Sequence, residues 1–452
     1  MTYKNDLTQG NIAYKLTKVA LPIMLTMFFQ MAYNLTDLIW IGGLGSGAVA
    51  AIGAAGFFIW LGMATSFLTK VGIEVNVAQS AGRNDHYALK NFIANGLFLT
   101  VLIGIIYCTI IVIFAPKLIG FFNLGSDVNS FDSTAAGITY IKIVCMSMTF
   151  AFMNVSFTAI YNGLGKSKLP FLYNAIGLVL NIILDPLLIY GIWIFPRLEV
   201  AGAGIATVIA QTTVLILFIF SLKRNFTYFD DIKNFLLIRK KYYLKIIKIG
   251  LPPATQSIMF ALIAIIITRI ISRWGPIPIA VQKVGSQIEA ISWMTASGFS
   301  TALSAFVGQN HGAGIKKRVW KGYLTAISIM GTVGVFTSLL LILFPEPLFR
   351  LFIREEEALR HGVIYLTILG YSQLFMCLEI TTAGAFNGLG KSLPPSIVGI
   401  VFNLLRIPSA IFLSAMIGLD GIWWSISGSS IFKGIVLTCW FVYYCRKMNK
   451  IG

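Results

Sequence analysis

Apolar residues along this chain come in long blocks separated by short polar breaks. The blocks run near 16–40, 47–78, 92–115, 134–160, 169–190, 200–222, 246–271, 277–307, 321–345, 362–384, 394–417 and 421–445. Each holds about 20 or more residues, enough for a helix rising about 1.5 Å per residue to cross a hydrocarbon layer. The pattern predicts an all-α polytopic membrane protein with twelve transmembrane helices. Several blocks exceed the minimum length, so tilt or kinks are expected. The first ten residues are polar, and no small-residue cleavage site follows the first block. That block therefore reads as a retained helix rather than a signal peptide.

The blocks also repeat. Residues 161–167 read Tyr-Asn-Gly-Leu-Gly-Lys-Ser and residues 386–392 read Phe-Asn-Gly-Leu-Gly-Lys-Ser. Upstream, Pro22 matches Pro252, Gln79 matches Gln309 and Gly82 matches Gly312, all at an offset of 230 residues. The chain therefore reads as two pseudo-symmetric six-helix lobes, 1–222 and 246–452, joined by a cytoplasmic linker at 223–245. The linker mixes charge with Phe226, Tyr228, Phe229 and Phe235, which fits a short amphipathic helix on the membrane surface. An even number of spans per lobe makes the repeat parallel, with its axis along the membrane normal.

Charge orients the bundle. With the N-terminus inside, the inner segments hold 23 of the 35 basic residues and the outer loops hold six. That bias places both termini in the cytoplasm of a cell whose inner membrane the chain crosses repeatedly. It also accounts for the net charge of +18 without nucleic acid, since the charges sit where anionic head groups lie. Cys108, Cys145, Cys377, Cys439 and Cys445 lie in or beside apolar blocks without metal-ligand spacing and read as packing residues.

Charged residues make up 12% of the chain, against roughly 25% in soluble domains, so a carboxylate inside an apolar block stands out. In the first block Gln30, Tyr33, Asn34 and Asp37 share one helical stripe, and Pro22 supplies a candidate hinge. In the fifth, Asn181 and Asp185 are four apart, Asn174 lies two turns back, and Pro186 weakens the local ladder. In the sixth, Gly204 and Thr207 share a face, so Thr207 is placed to add an oxygen to Asp37, Asn181 and Asp185. Asp37 falls on Ile267 in the second copy and Asp185 on Ile407, so the acids belong to one lobe only. Two carboxylates in a low-dielectric pocket exchange protons in coupled steps, which suits a proton-driven cycle. The same oxygens suit sodium, a hard cation, and the residues do not choose between the two.

The second copy holds different charges, among them Glu289, Glu379 and Arg406, read as structural ion pairs or as a second cation site. Glu74 and Lys70, four residues apart, read as a local pair. The Asn-Gly-Leu-Gly-Lys-Ser runs lack the spacing of a phosphate loop and read as tight cytoplasmic turns. No hydrolase or redox constellation is visible, no cofactor is called for, and nothing points to an enzyme.

Together these features resemble the MATE family, the multidrug and toxic compound extrusion transporters. The resemblance rests on Pro22 with Tyr33, Asn34 and Asp37, the doubled Asn-Gly-Leu-Gly-Lys-Ser turn, Asn181-x-x-x-Asp185-Pro186, and Gln79/Gly82 repeated as Gln309/Gly312. It spans the whole chain. It implies an antiporter, a monomer, that exports amphipathic and often cationic compounds against inward proton or sodium movement. It also implies a cation site at Asp37, Asn181, Asp185 and Thr207, with Gln30 and Tyr33 nearby. Members with a second-lobe site carry an acid eight residues after the Pro matching Pro252. Here that residue is Phe260, which favours the subgroup named after a DNA-damage-inducible protein. A competing reading is a lipid or lipid-linked oligosaccharide flippase of the same superfamily, kept open by Arg269 and Arg406.

Overall fold

The computed structural model describes residues 7–122, 132–225, 239–353 and 355–450. The first lobe is built from α1 (Ile12–Gly42), α2 (Ser46–Gly82), α3 (His86–Gly120), α4 (Ser133–Gly163), α5 (Lys168–Tyr190) and α6 (Glu199–Asn225). The second contains α7 (Lys240–Ile271), α8 (Pro276–Gly312), α9 (Lys316–Leu343), the short α10 (Pro345–Arg350), α11 (Glu356–Gly370), α12 (Gln373–Gly388), α13 (Leu393–Ile417) and α14 (Leu419–Lys450). The repeat is visible in the boundaries, because α2 and α8 begin and end 230 residues apart. The expected linker shrinks at both ends, since α6 runs to Asn225 and α7 starts at Lys240. The short surface helix expected within 223–245 falls mostly on residues 226–238, which lie outside the described residues.

Among the described residues, ten helices are long and apolar enough to cross a membrane. They become eleven if α11 and α12, inclined at 50°, count as one crossing. The expected tenth span is thus broken near Gly370–Ser372, where the Ser372 hydroxyl donates to the Leu369 carbonyl at 2.9 Å. The remaining expected span is α8. It has 37 residues but is too polar for that count, carrying Lys283, Ser286, Gln287 and Glu289. It packs against α1, α2, α9 and α12, so protein rather than lipid surrounds much of it.

Local chemistry sets the helix ends. Asp85 and Asp132 cap α3 and α4 by accepting the backbone N–H of Ala88 at 2.8 Å and Ala135 at 2.9 Å. The Asn-Gly-Leu-Gly-Lys-Ser turns close α4 and α12 as Schellman caps. Lys166 N–H reaches the Tyr161 carbonyl and Gly165 N–H the Asn162 carbonyl, both at 2.8 Å. Gly390 and Lys391 repeat the pattern, and Gly165 and Gly390 both have φ of +73°, which is why glycine stands there.

Among the described residues, the close glycine approaches between the lobes cluster toward one end. A Cβ on Gly82 would stand 1.9 Å from the Gln309 carbonyl oxygen, and one on Gly312 would stand 2.2 Å from that of Gln79. Gly72 is closed in by Ile246, Gly250 by Leu68, Gly298 by Met24 and Gly308 by Ala78. At the other end of α2, Gly53 and Gly56 have nothing within 4 Å. Polar bonds cross the closed end in matching pairs. Gln79 Nε2 donates to Gly388 O at 3.0 Å, and Gln309 Nε2 to Gly163 O at 2.8 Å. Leu7 N–H adds a bond to Gln309 Oε1 at 3.1 Å. The doubled motif is therefore a latch between the lobes as well as a turn. Within each lobe, its serine ties the turn to the first helix: Ser167 to Val19 O at 2.8 Å, Ser392 to Ile249 O at 2.6 Å.

Candidate functional site

Three helices of the first lobe enclose a cavity of about 100 Å³. α1 contributes Thr26, Phe29, Gln30 and Tyr33; α5 contributes Phe171, Asn174, Leu178 and Asn181; α6 contributes Thr207, Gln211 and Val214. Five residues expected from the pattern, Gln30, Tyr33, Asn174, Asn181 and Thr207, thus share one cavity. The helical repeat explains this: residues three and four apart on α1 and α5 stack on one face, and both faces turn away from lipid. The Asn34 side chain lies outside the described set.

Asp37 and Asp185 sit beyond the cavity toward the open end, with their carboxyl groups close enough to share a hydrogen bond. Asp185 is 1% exposed and Asn181 2%. Asn181 Nδ2 donates to Asp185 Oδ1 at 3.4 Å. Two buried acceptors stay without a partner, Asn181 Oδ1 and Asp185 Oδ2. An unsatisfied buried acceptor is costly, so this is a place that a proton or a hard cation would stabilise. The Thr207 hydroxyl donates to Ala203 O at 3.1 Å and lies within reach of the Tyr33 hydroxyl. α1 is continuous through Pro22, and α5 through Pro186.

Two neighbours were not anticipated. Tyr140 of α4 is 5% exposed and faces both acids. Gln211 lines the cavity, and its Oε1 accepts from Asn154 Nδ2 at 2.9 Å, tying α6 to α4. Gln211 was legible in principle, since it lies four residues after Thr207. Tyr140 was not, because only packing of α4 brings it to α1 and α5.

In the second lobe, Ile267 and Ile407 take the places of the acids. Glu379 pairs with Lys433 at 3.1 Å, both buried. Arg406 donates to Ser429 and Ser430 of α14. Glu289 faces Arg406 and Tyr365, with its Oε1 unpartnered. Lys433 was absent from the expected set, because α14 reads as an ordinary span. Among the described residues no group of three or more His, Cys, Asp or Glu side chains is placed to hold a metal.

A two-lobed bundle of membrane-crossing helices, with a polar cavity inside the first lobe, is the architecture of a secondary transporter. The chain belongs to the MATE family, whose model, described as MatE, matches residues 22–187 and 252–412. It is thus a multi-pass membrane transporter for small molecules and not an enzyme. It is 27% identical over 443 residues to a probable multidrug resistance protein NorM of Thermotoga maritima, covering 95% of this chain and 92% of that protein. It is 22% identical to the FAD transporter of Shewanella oneidensis, covering 98% and 96%. Among solved structures it is similar to the outward-facing conformation of a multidrug resistance MATE family transporter of the MOP superfamily. That match has a TM-score of 0.90 and 21% identity, and it covers 100% of both chains.

Proposed function

We propose that this protein is a cation-coupled antiporter that exports amphipathic, often cationic, compounds by alternating access. Its coupling ion, a proton or sodium, is held by Asp37, Asp185, Asn181 and Thr207, with Gln30, Tyr33 and Asn174 lining the adjoining first-lobe cavity and Asn34 following Tyr33 in the α1 sequence. The observation that carries this is the facing pair of carboxyls beside two unpartnered buried acceptors, Asn181 Oδ1 and Asp185 Oδ2. Two acids this close hold one proton readily and give it up most easily when a cation takes its place. Coupling ion and cationic cargo then exclude each other at one place, which is what exchange requires. Pro22 is the hinge in this reading, the chain is a monomer in the inner membrane, and both termini face the cytoplasm. The closed end of the bundle is then the cytoplasmic end, and the structure is outward-facing.

The test is ethidium efflux from cells expressing wild type, Asp37→Asn or Asp185→Asn, with and without sodium and with a proton uncoupler. Each mutant is expected to express normally and to lose efflux. Normal efflux in either removes that residue from the mechanism. Collapse with uncoupler assigns the proton; dependence on sodium assigns sodium.

A second reading has its own observation. Arg406 and Lys433 are buried in the second lobe, 9% and 7% exposed, and if freed from Glu289 and Glu379 would favour an anionic cargo. A phosphate-bearing substrate, as for a flippase or a relative of the FAD transporter, is that alternative. Failure of ethidium efflux with retained uptake of a phosphorylated compound would support it.

A further inference from the structure

Beyond the first turns of the helices, five carboxylates among the described residues lie inside the bundle: Asp37, Glu74, Asp185, Glu289 and Glu379. Four have their partners in their own lobe. Asp37 faces Asp185, Glu289 faces Tyr365 and Arg406, and Glu379 pairs with Lys433. A rigid rotation of one lobe against the other leaves all four surroundings intact.

Glu74 differs. It is 4% exposed, sits on α2 where α2 meets α8, and is faced by the Ser304 hydroxyl of the other lobe. Ser304 is its own repeat mate, 230 residues on, so Glu74 lies beside the pseudo-twofold axis. Lys70, one turn earlier on α2, supplies the counter-charge from the same lobe. One turn beyond Glu74 the latch begins. Ala78 abuts Gly308, and Gln79 spans to Gly388. Opening the closed end therefore uncovers Glu74 and strips it of Ser304.

We propose that Glu74 is the cation-receiving carboxylate of the cytoplasm-facing state, taking an organic monovalent cation from the cytoplasm when the latch opens. The proposal rests on the antiport reading above. A carboxylate newly exposed between low-dielectric walls focuses its field on an incoming cation. The small and apolar residues that the parting lobes uncover, among them Met24, Ala78, Gly298 and Gly308, offer an amphipathic cation its second contact. Lys70 stays beside Glu74 throughout; when the lobes close again, Ser304 returns to the carboxylate and the cargo is released from it. The pair reads from sequence as a local helix contact. The cross-lobe partner is what gives it a second task.

The experiment uses everted membrane vesicles, whose cytoplasmic face is outermost, and measures ethidium uptake against concentration under an imposed proton or sodium gradient. Glu74→Gln is expected to raise KM about tenfold or more with Vmax little changed, as for loss of an entry contact. Glu74→Asp is expected to return KM to within about threefold of wild type, because the charge is restored. An unchanged KM in Glu74→Gln, a fall in Vmax alone, or no rescue by Asp would overturn the assignment. Wild-type vesicles that take up no ethidium under either gradient would sink the antiport reading and this proposal together. Active wild-type vesicles with a wild-type-like Glu74→Gln would sink only the latter.

Discussion

The latch makes an asymmetric prediction from symmetric sequence. Gln79 and Gln309 occupy equivalent positions, yet among the described residues Gln79 makes one bond across the lobes, to Gly388 O at 3.0 Å. Gln309 makes two: it donates to Gly163 O at 2.8 Å and accepts from Leu7 N–H at 3.1 Å. A net hydrogen bond contributes about 1 kcal/mol. Gln79→Ala should then weaken the closed end by about 1 kcal/mol, and Gln309→Ala by about 2 kcal/mol. In a two-state equilibrium these are shifts of about 5-fold and about 30-fold toward the state open at that end. The readout is pulsed electron spin resonance between spin labels at Arg83→Cys and Ala313→Cys, with the native cysteines replaced. Both positions are exposed and flank the latch. The long-distance population should grow in the order wild type, Gln79→Ala, Gln309→Ala. Equal shifts, or none, would refute the reasoning that these bonds hold the lobes together.

Further outcomes are expected. Gly250→Leu should cost about 3 kcal/mol or prevent folding, since its Cβ would stand 1.7 Å from Leu68 O; Gly53→Ala, with open space, should melt as wild type in a thermal unfolding assay. Glu379→Gln or Lys433→Met alone should lower stability by about 3 kcal/mol by leaving one buried charge, and the double mutant should regain at least half, as read by unfolding midpoints. Thr207→Val should weaken ion coupling by less than either Asp→Asn change, measured as the ion concentration for half-maximal efflux. Thr207 already spends its proton on Ala203 O.

Periodicity and repeat carried most of the fold. Block length located the helices, and the doubled turn marked two lobes. The lining of the first-lobe cavity was largely legible, because Gln30, Tyr33, Asn174 and Asn181 recur at helical spacing on faces too polar for lipid. The misses have physical causes. α8 reads as a span although Lys283 and Ser286 stand exposed along it and Gln287 and Glu289 are half-buried, which lowers its apolar character. The tenth span breaks where Gly370 offers no side chain and Ser372 competes for a backbone carbonyl. Tyr140 and Lys433 read as unremarkable members of their helices, since nothing local marks which helix each will face.

The division follows the range of the forces. Helix position, turn type and the placement of two acids in one copy follow from neighbours within a few residues, so the linear pattern contains them. The joining of Asp37 to Asp185 depends on how α1 packs on α5. The reach of Gln79 and Gln309 into the opposite lobe, and the facing of Glu74 by Ser304, depend on how α2 meets α8. Those contacts join residues some 150 to 300 positions apart, as in Gln309 to Gly163 and Gln79 to Gly388. No local propensity specifies such pairs; close packing of small residues at one end of the bundle brings them together.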